Sequence, residues 1–252
     1  MQHSTIQIQM DVHGFVTAGG LSSRMGQDKA WLEIDGRPMI QRVIEELLCV
    51  TPTVSVIAND SEYGRLGLPV LADLNAGVGP LEAIRVALAG SLAPRVLLVA
   101  CDLPFVTAEF LRFLVDRAEG AQATAPLNSE GQLEPLCATY STDLLDQVTL
   151  LIGGGDRKVS RLFDRVRARL IPFEDLSHLA GAERFFINVN TPEDYVRVSG
   201  TSLGRPPHSG SRREPKQGTG PGTLTGEGPL SRLIPSMILK KSVAFTSLAC
   251  LY

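Results

Sequence analysis

The run RVLLVACDLP at 95–104 narrows the possible folds more than any other stretch of the chain. A strand with one wet face alternates apolar and polar residues. One that is apolar at both phases has to be covered on both sides, as the strands of a parallel sheet are by their crossover helices. Shorter runs of the same kind recur: GFVTAGG at 14–20, TVSVIAND at 53–60 and LPVLAD at 68–73. Between them lie segments with helical spacing. PMIQRVIEELL at 38–48 repeats apolar residues at helical intervals, and GPLEAIRVALAG at 79–90 ends on Gly90. TAEFLRFLVDRA at 107–118 opens on a threonine suited to capping, with Glu109 in its first turn. This alternation predicts an α/β fold: a three-layer, Rossmann-like, mostly parallel sheet with helices on both faces. With 252 residues, 44% of them apolar, the chain can fill the core of such a domain.

After about residue 120 the pattern loosens. ATAPL at 123–127 and PLCATY at 135–140 read as paired strands, and LIGGGDRKVSRLFDRV at 151–166 as a glycine turn entering a helix. FINVNTPEDYVRV at 186–198 reads as an apolar stretch, a TPED helix start and a short helix. Residues 200–229 contain repeated Gly, Pro, Ser and Thr with almost no large apolar side chains, too few to offset chain entropy. The expected organisation is therefore an N-terminal extension at 1–12, one domain at 13–199 and a disordered tail at 200–252. The tail holds seven Lys/Arg against two Asp/Glu, so the formal charge of −3 divides into +5 there and −8 elsewhere. An acidic body argues against nucleic acid as a partner, since that needs a basic footprint. The N-terminus lacks a basic stretch followed by a long apolar one, and no apolar run approaches the roughly 18 residues of a membrane span. The chain reads as cytoplasmic.

In a sheet of this kind, ligands bind in the crevice beyond the carboxyl ends of the strands, so polar residues at strand ends are the ones to watch. Four places qualify: the glycine loop after 14–18, Asn59-Asp60, Asp73 and Asp102. The loop runs Thr17-Ala18-Gly19-Gly20-Leu21-Ser22-Ser23-Arg24-Met25-Gly26-Gln27-Asp28-Lys29. Two glycines directly after a strand let backbone N–H groups approach phosphate oxygens, and Arg24 and Lys29 supply countercharge. It is neither a Walker A loop nor a GxGxxG dinucleotide fingerprint. Cys49, Cys101, Cys137 and Cys250 form no CxxC pair, and His3, His13, His178 and His208 lack metal-ligand spacing. No Ser/His/Asp arrangement is visible, so covalent catalysis is not indicated.

AGGLSSRMGQDKAWLEIDGRPMI resembles the opening signature of the nucleotidyltransferases that share an AGG/AAG-x-S-x-R-M-G-x-x-K loop, and within them the molybdenum cofactor guanylyltransferases. The resemblance spans roughly residues 12–198 and implies a nucleotide-diphospho-sugar transferase-like fold. It also implies that Thr17, Ala18, Gly19 and Gly20 border the nucleotide, Thr17 standing where the family usually has Leu. Lys29 would contact the phosphates, as would Arg24 unless it pairs with Asp28. Asp102 would hold Mg²⁺, a hard cation suited to oxygen ligands. Asn59 and Asp73 match positions that contact the nucleotide, and a carboxylate at 73 can accept from both N1–H and the 2-amino group of guanine. For these two, ordinary strand-end turn chemistry is the alternative. Gly79-Pro80-Leu81, Asn188, Asn190, Arg157 and Lys158 also match family motifs. Helix capping accounts equally well for the two asparagines, and a solvated helix start for the basic pair.

The implied reaction moves GMP from GTP to molybdopterin, with pyrophosphate as the second product, and molybdoenzymes or other cofactor-synthesis proteins as partners. The Gly-Gly after Ala18 and the Asp28-Lys29 pair resemble the guanylyl branch, whereas Ala-Ala-Gly would favour cytidylyl transfer. Two other readings stay open: a transferase of the same fold using CTP or UTP on a pterin or sugar phosphate, and a noncatalytic nucleotide-binding module or cofactor chaperone. The tail could recruit a partner or have no role.

Overall fold

The computed structural model describes residues 11–19, 28–72 and 78–199. In chain order, its strands are β1 (Val12–Thr17), β2 (Glu33–Ile34), β3 (Arg37–Pro38), β4 (Val54–Ile57), β5 (Val70–Leu71), β6 (Arg95–Ala100), β7 (Ala123–Pro126), β8 (Cys137–Ser141) and β9 (Ala168–Ile171). The helices are α1 (Met39–Leu48), α2 (Pro80–Gly90), α3 (Ala108–Asp116), α4 (Leu145–Gly153), α5 (Ser160–Phe163) and α6 (Pro192–Ser199). β2 and β3 pair as a small ribbon, and the other seven strands form one sheet in the order β5-β4-β1-β6-β8-β7-β9. Only β8 runs against its neighbours, β6 and β7. The mostly parallel sheet expected from the sequence is present, and 123–127 and 135–140 do pair.

The two-phase apolar character of the central strands has a direct cause in the packing. Leu97 and Val99 of β6 join Val12 and Val16 of β1 in one core, under Ile40, Val43 and Leu47 of α1 and Phe110, Leu111 and Leu114 of α3. Val96 and Leu98 join Phe15 in a second core, under Leu81, Ile84 and Leu88 of α2 and Val148 and Leu151 of α4. Successive residues of one strand thus serve opposite cores, which makes the fold three layers. Gly14 is where α1 comes closest to β1, since a Cβ there would lie 3.2–3.3 Å from Thr51, Leu47 and Val54.

Thr107 caps α3 as expected, its Oγ1 accepting from the Phe110 N–H at 3.2 Å, a contact worth about 1 kcal/mol. Glu46 of α1 accepts from the Ala108 N–H at 2.6 Å, so one helix also caps another. Several elements depart from the sequence reading. Residues 145–153 form α4 ahead of the glycine turn, and the helix after that turn is only the four-residue α5. β9 escapes because, as an edge strand, it buries Ile171 alone, leaving no periodicity to see. β1 begins at Val12, inside the expected N-terminal extension. Among the described residues, no helix is long and apolar enough to cross a membrane.

Candidate active site

The crevice forms where β4, β1 and β6 end. The Thr17 C=O accepts from the Cys101 N–H at 3.0 Å and the Ala18 N–H donates to the Ile57 C=O at 2.9 Å, so both groups are committed to holding the strand ends together. Gly19 is the first residue past those bonds. It is exposed, with φ +82°, a left-handed conformation that glycine adopts without strain. Asn59 and Asp60 follow β4 beside it, both exposed. The Asp60 carboxylate caps the 3₁₀ turn at 61–66 through the Glu62 N–H at 2.8 Å.

Lys29 opens a 3₁₀ turn, Lys29–Trp31, capped by Asp28, whose Oδ1 accepts from the Ala30 N–H at 3.0 Å. The other Asp28 oxygen accepts from the buried Tyr63 hydroxyl at 2.5 Å. Tyr63 stacks on Trp31 at 5.3 Å, and the Arg65 guanidinium lies 3.6 Å over the Trp31 ring. The lysine backbone is therefore fixed from the β4–β5 connection. Its side chain reaches across the crevice, and Nζ donates to Asp102 Oδ2 and to Asn190 Oδ1, both at 2.7 Å. Lys29 and Asp102 side chains are each only 16% exposed, so this ion pair is largely removed from water.

Asp102 leaves β6 in a turn. Its C=O accepts from the Val189 N–H at 3.1 Å, which ties the 188–190 segment to it and brings Asn190 to the same point. The second carboxylate oxygen, Oδ1, is buried with no hydrogen-bond partner. A buried carboxylate oxygen without a partner, on a side chain that shares its lysine with an amide oxygen, is donor chemistry that a hard divalent cation takes up, together with phosphate oxygens and water. One carboxylate and one amide suit such a shared site. Among the described residues, no three His, Cys, Asp or Glu side chains gather to make a cage of their own. The neighbouring Cys101 is fully buried, and burial with the nearby Asp102 charge pushes its thiol well above the usual range, so it is not a nucleophile.

Of the residues singled out from the sequence, Lys29 and Asp102 meet, and Thr17, Ala18, Gly19 and Asn59 line the same strand ends. Gly20, Arg24 and Asp73 lie outside the described residues, as does the tail at 200–252. Asn190 joins the cluster while Asn188 turns to the Phe186 C=O at 3.5 Å. Neither asparagine side chain caps α6. Thr191 and Asp194 do that, through Thr191 Oγ1 to the Asp194 N–H and Asp194 Oδ2 to the Asn190 and Thr191 N–H groups. Arg157 and Lys158 are exposed in the α4–α5 connection. Sequence reasoning missed Tyr63, whose role shows only once β4 and the lysine turn are adjacent, and Glu134 with Asn128, at the start of β8. The local signal for the last pair is the turn sequence NSEGQ at 128–132 between two apolar runs.

Comparison with known proteins points the same way. Residues 14–170 match the model of the MobA-like NTP transferase domain. The "Probable molybdenum cofactor guanylyltransferase" of Pelotomaculum thermopropionicum is 40% identical over 186 residues, covering 73% of this chain and 90% of that protein. Its namesake from Carboxydothermus hydrogenoformans is 36% identical over 183 residues, covering 73% and 92%. Among solved structures, molybdopterin-guanine dinucleotide biosynthesis protein A from Archaeoglobus fulgidus superposes with a TM-score of 0.64 at 26% identity, covering 75% of this chain and 97% of that one.

Proposed function

The chain belongs to the MobA-like NTP transferase family, and from that premise we propose that it transfers GMP from GTP to the terminal phosphate of molybdopterin, releasing pyrophosphate. The observation that carries this reading is the convergence of Lys29 Nζ on Asp102 Oδ2 and Asn190 Oδ1. Three segments far apart in sequence meet there, beside the glycine loop. Residues 13–199 are the catalytic domain in this reading.

An oxygen of the acceptor phosphate attacks the α-phosphorus in line, one P–O bond forms, and the α–β bridging P–O bond breaks to release pyrophosphate. The attacking group is already anionic, so no general base is required and the chain's work is positioning and charge compensation. Lys29 has three N–H donors, of which Asp102 and Asn190 take two, leaving one for a phosphate oxygen of the leaving group. Arg24 adds charge to the same phosphates. Gly19 and Gly20 offer backbone N–H groups, while Thr17 and Ala18 form the floor, their own groups being committed to the sheet. Asp102 and Asn190 supply the oxygens for a divalent cation, taken here as Mg²⁺. Such an ion neutralises developing charge on the phosphates. In this reading Asn59 contacts the nucleotide, and the Asp73 carboxylate accepts from the N1–H and 2-amino group of guanine.

The test is pyrophosphate release by the purified protein with Mg²⁺ and each of the four NTPs, with and without molybdopterin. Release with GTP that depends on the pterin is the expected result. Release with CTP instead would overturn the role of Asp73, and GTP binding without release would make the chain a noncatalytic module.

A further inference from the structure

The connection that leads into β8 holds a second carboxylate that the reaction above does not use. The β6–β8 register pairs Arg95 with Ser141 and Val99 with Cys137, and the Ala100 N–H donates to the Leu136 C=O at 2.7 Å, so the residues just before β8 lie beside the end of β6. Glu134 is two residues before Leu136, in the turn that enters β8 at the crevice end of the sheet. The backbone at 134 is pinned, its N–H donating to the Pro126 C=O and its C=O accepting from the Cys137 N–H, both at 3.1 Å.

The side chain is pinned as well. Asn128 Oδ1 accepts from the Glu130 and Gln132 N–H groups at 3.0 and 2.9 Å, which fixes the orientation of its amide. Asn128 Nδ2 then donates to Glu134 Oε1 at 3.0 Å. Among the described residues no hydrogen bond reaches Oε2. Glu134 is half-buried, and burial, with a further push from the Asp102 charge, raises its carboxyl above the usual range in spite of the Asn128 bond. One carboxylate oxygen is thus held in place by Asn128 while the other stays open to a donor.

The sheet order says whose donor it is. Asn59 follows β4, Gly19 follows β1 and Asp102 follows β6, and β8 and β7 come next in the sheet. From β5 to β7 is five strand spacings, roughly 24 Å, enough for a nucleotide at one end and an acceptor at the other. β8, which Glu134 precedes, lies on the far side of β6 from β4 and Asn59.

We propose that Glu134, oriented by Asn128, is the acceptor-recognition residue of this site. Its Oε2 accepts a hydrogen bond from an N–H or O–H group that the acceptor carries near its phosphate, a requirement that a reduced pterin meets and a bare phosphate does not. The inference rests on the guanylyl-transfer reading and assigns the acceptor subsite within it. Glu134→Gln keeps the size and the bond to Asn128 and removes the charge. It should raise the KM for molybdopterin about ten- to a hundredfold, the loss expected when a charged acceptor is removed, with the KM for GTP and the Mg²⁺ dependence unchanged. Asn128→Ala should move the same constant by less. An unchanged molybdopterin KM in Glu134→Gln, or a shift confined to GTP or Mg²⁺, would overturn the proposal, the second by making Glu134 a nucleotide or metal contact. Calorimetric titration of molybdopterin into wild type and Glu134→Gln measures the same difference without turnover. A wild type that binds molybdopterin through Glu134 but releases no pyrophosphate would therefore sink the transfer reading and leave this one standing.

Discussion

On one side of Asp102 the strands β5, β4, β1 and β6 run parallel and each leaves the sheet at the crevice, whereas on the other side β8 runs against them and enters it there. The parallel side delivers a loop after each strand, so its polar groups follow directly on apolar runs: Gly19 after β1, Asn59 after β4, Asp102 after β6. The antiparallel side delivers the beginning of a strand, and its polar group, Glu134, precedes the apolar run and is aimed by the 128–132 turn. Parallel strands thus bring one loop after another to the crevice, and the reversed strand brings a turn-anchored carboxylate.

If the parallel side carries the chemistry, the largest losses should come from there. Asp102→Ala removes both the partner of Lys29 and the unpartnered buried oxygen, and should lower kcat by about 10³-fold or more, read as Mg²⁺-dependent pyrophosphate release. Near-normal activity in that variant would move the reaction centre away from β6. Lys29→Met keeps the stem and removes the ammonium, and about 10²-fold in kcat is expected. A change in GTP affinity alone, with kcat intact, would make Lys29 a ground-state contact and weaken the contrast between the two sides.

The same contrast explains what could be read in the sequence. β1, β4 and β6 were legible because both phases of each strand are buried, Val96 and Leu98 in one core and Leu97 and Val99 in the other, which leaves an unbroken apolar signature with a polar end. Asp102 stood out as the polar end of such a run, whereas Lys29 stood out only as countercharge in the glycine loop and through the motif resemblance. β9 was not, because only Ile171 is buried. Asn190 was ambiguous because NTPED supports capping as well as a ligand role, and only the contact with Lys29 separates the two. Tyr63 was hidden because nothing local marks it: its partner Asp28 is 35 residues away and meets it through the adjacency of two loops.

Tyr63 gives a smaller test of how firmly the parallel side holds its lysine. Tyr63→Phe removes one hydroxyl and with it the bond to Asp28 Oδ2, leaving the 3₁₀ turn capped only through Oδ1. A displaced Lys29 should cost about tenfold in kcat, less than losing the ammonium itself. In an Asp28→Ala background the same change should add little, because the two residues act as one unit. Full additivity in that double-mutant cycle would show that Tyr63 acts through Trp31 packing instead.

The smallest effect belongs to the opposite end of β1 and serves as a control, since it should alter stability without touching the crevice. His13 is buried, its Nδ1 accepts from the Leu92 N–H at 3.1 Å, and Nε2 lies 2.9 Å from Ser55 Oγ. Accepting at Nδ1 makes Nε2 the protonated nitrogen and the ring neutral. Burial holds its pKa below the usual 6.5. The unfolded chain binds a proton near that ordinary value while the folded chain resists it, so the stabilisation is complete above about pH 6.5 and is lost as the pH falls towards the lower folded pKa. The melting temperature of the wild type should fall between pH 7.5 and 5, with the share due to His13 on the order of a few degrees. Gln at 13 can offer an amide oxygen to Leu92 and an amide N–H to Ser55 without a charge to gain, so His13→Gln should flatten that dependence and leave kcat at pH 7.5 unchanged. Parallel melting profiles for the two proteins would assign the acid sensitivity to other groups. A loss of kcat at neutral pH would show that the two ends of β1 are mechanically coupled, which the independent commitment of Thr17 and Ala18 to their neighbouring strands argues against.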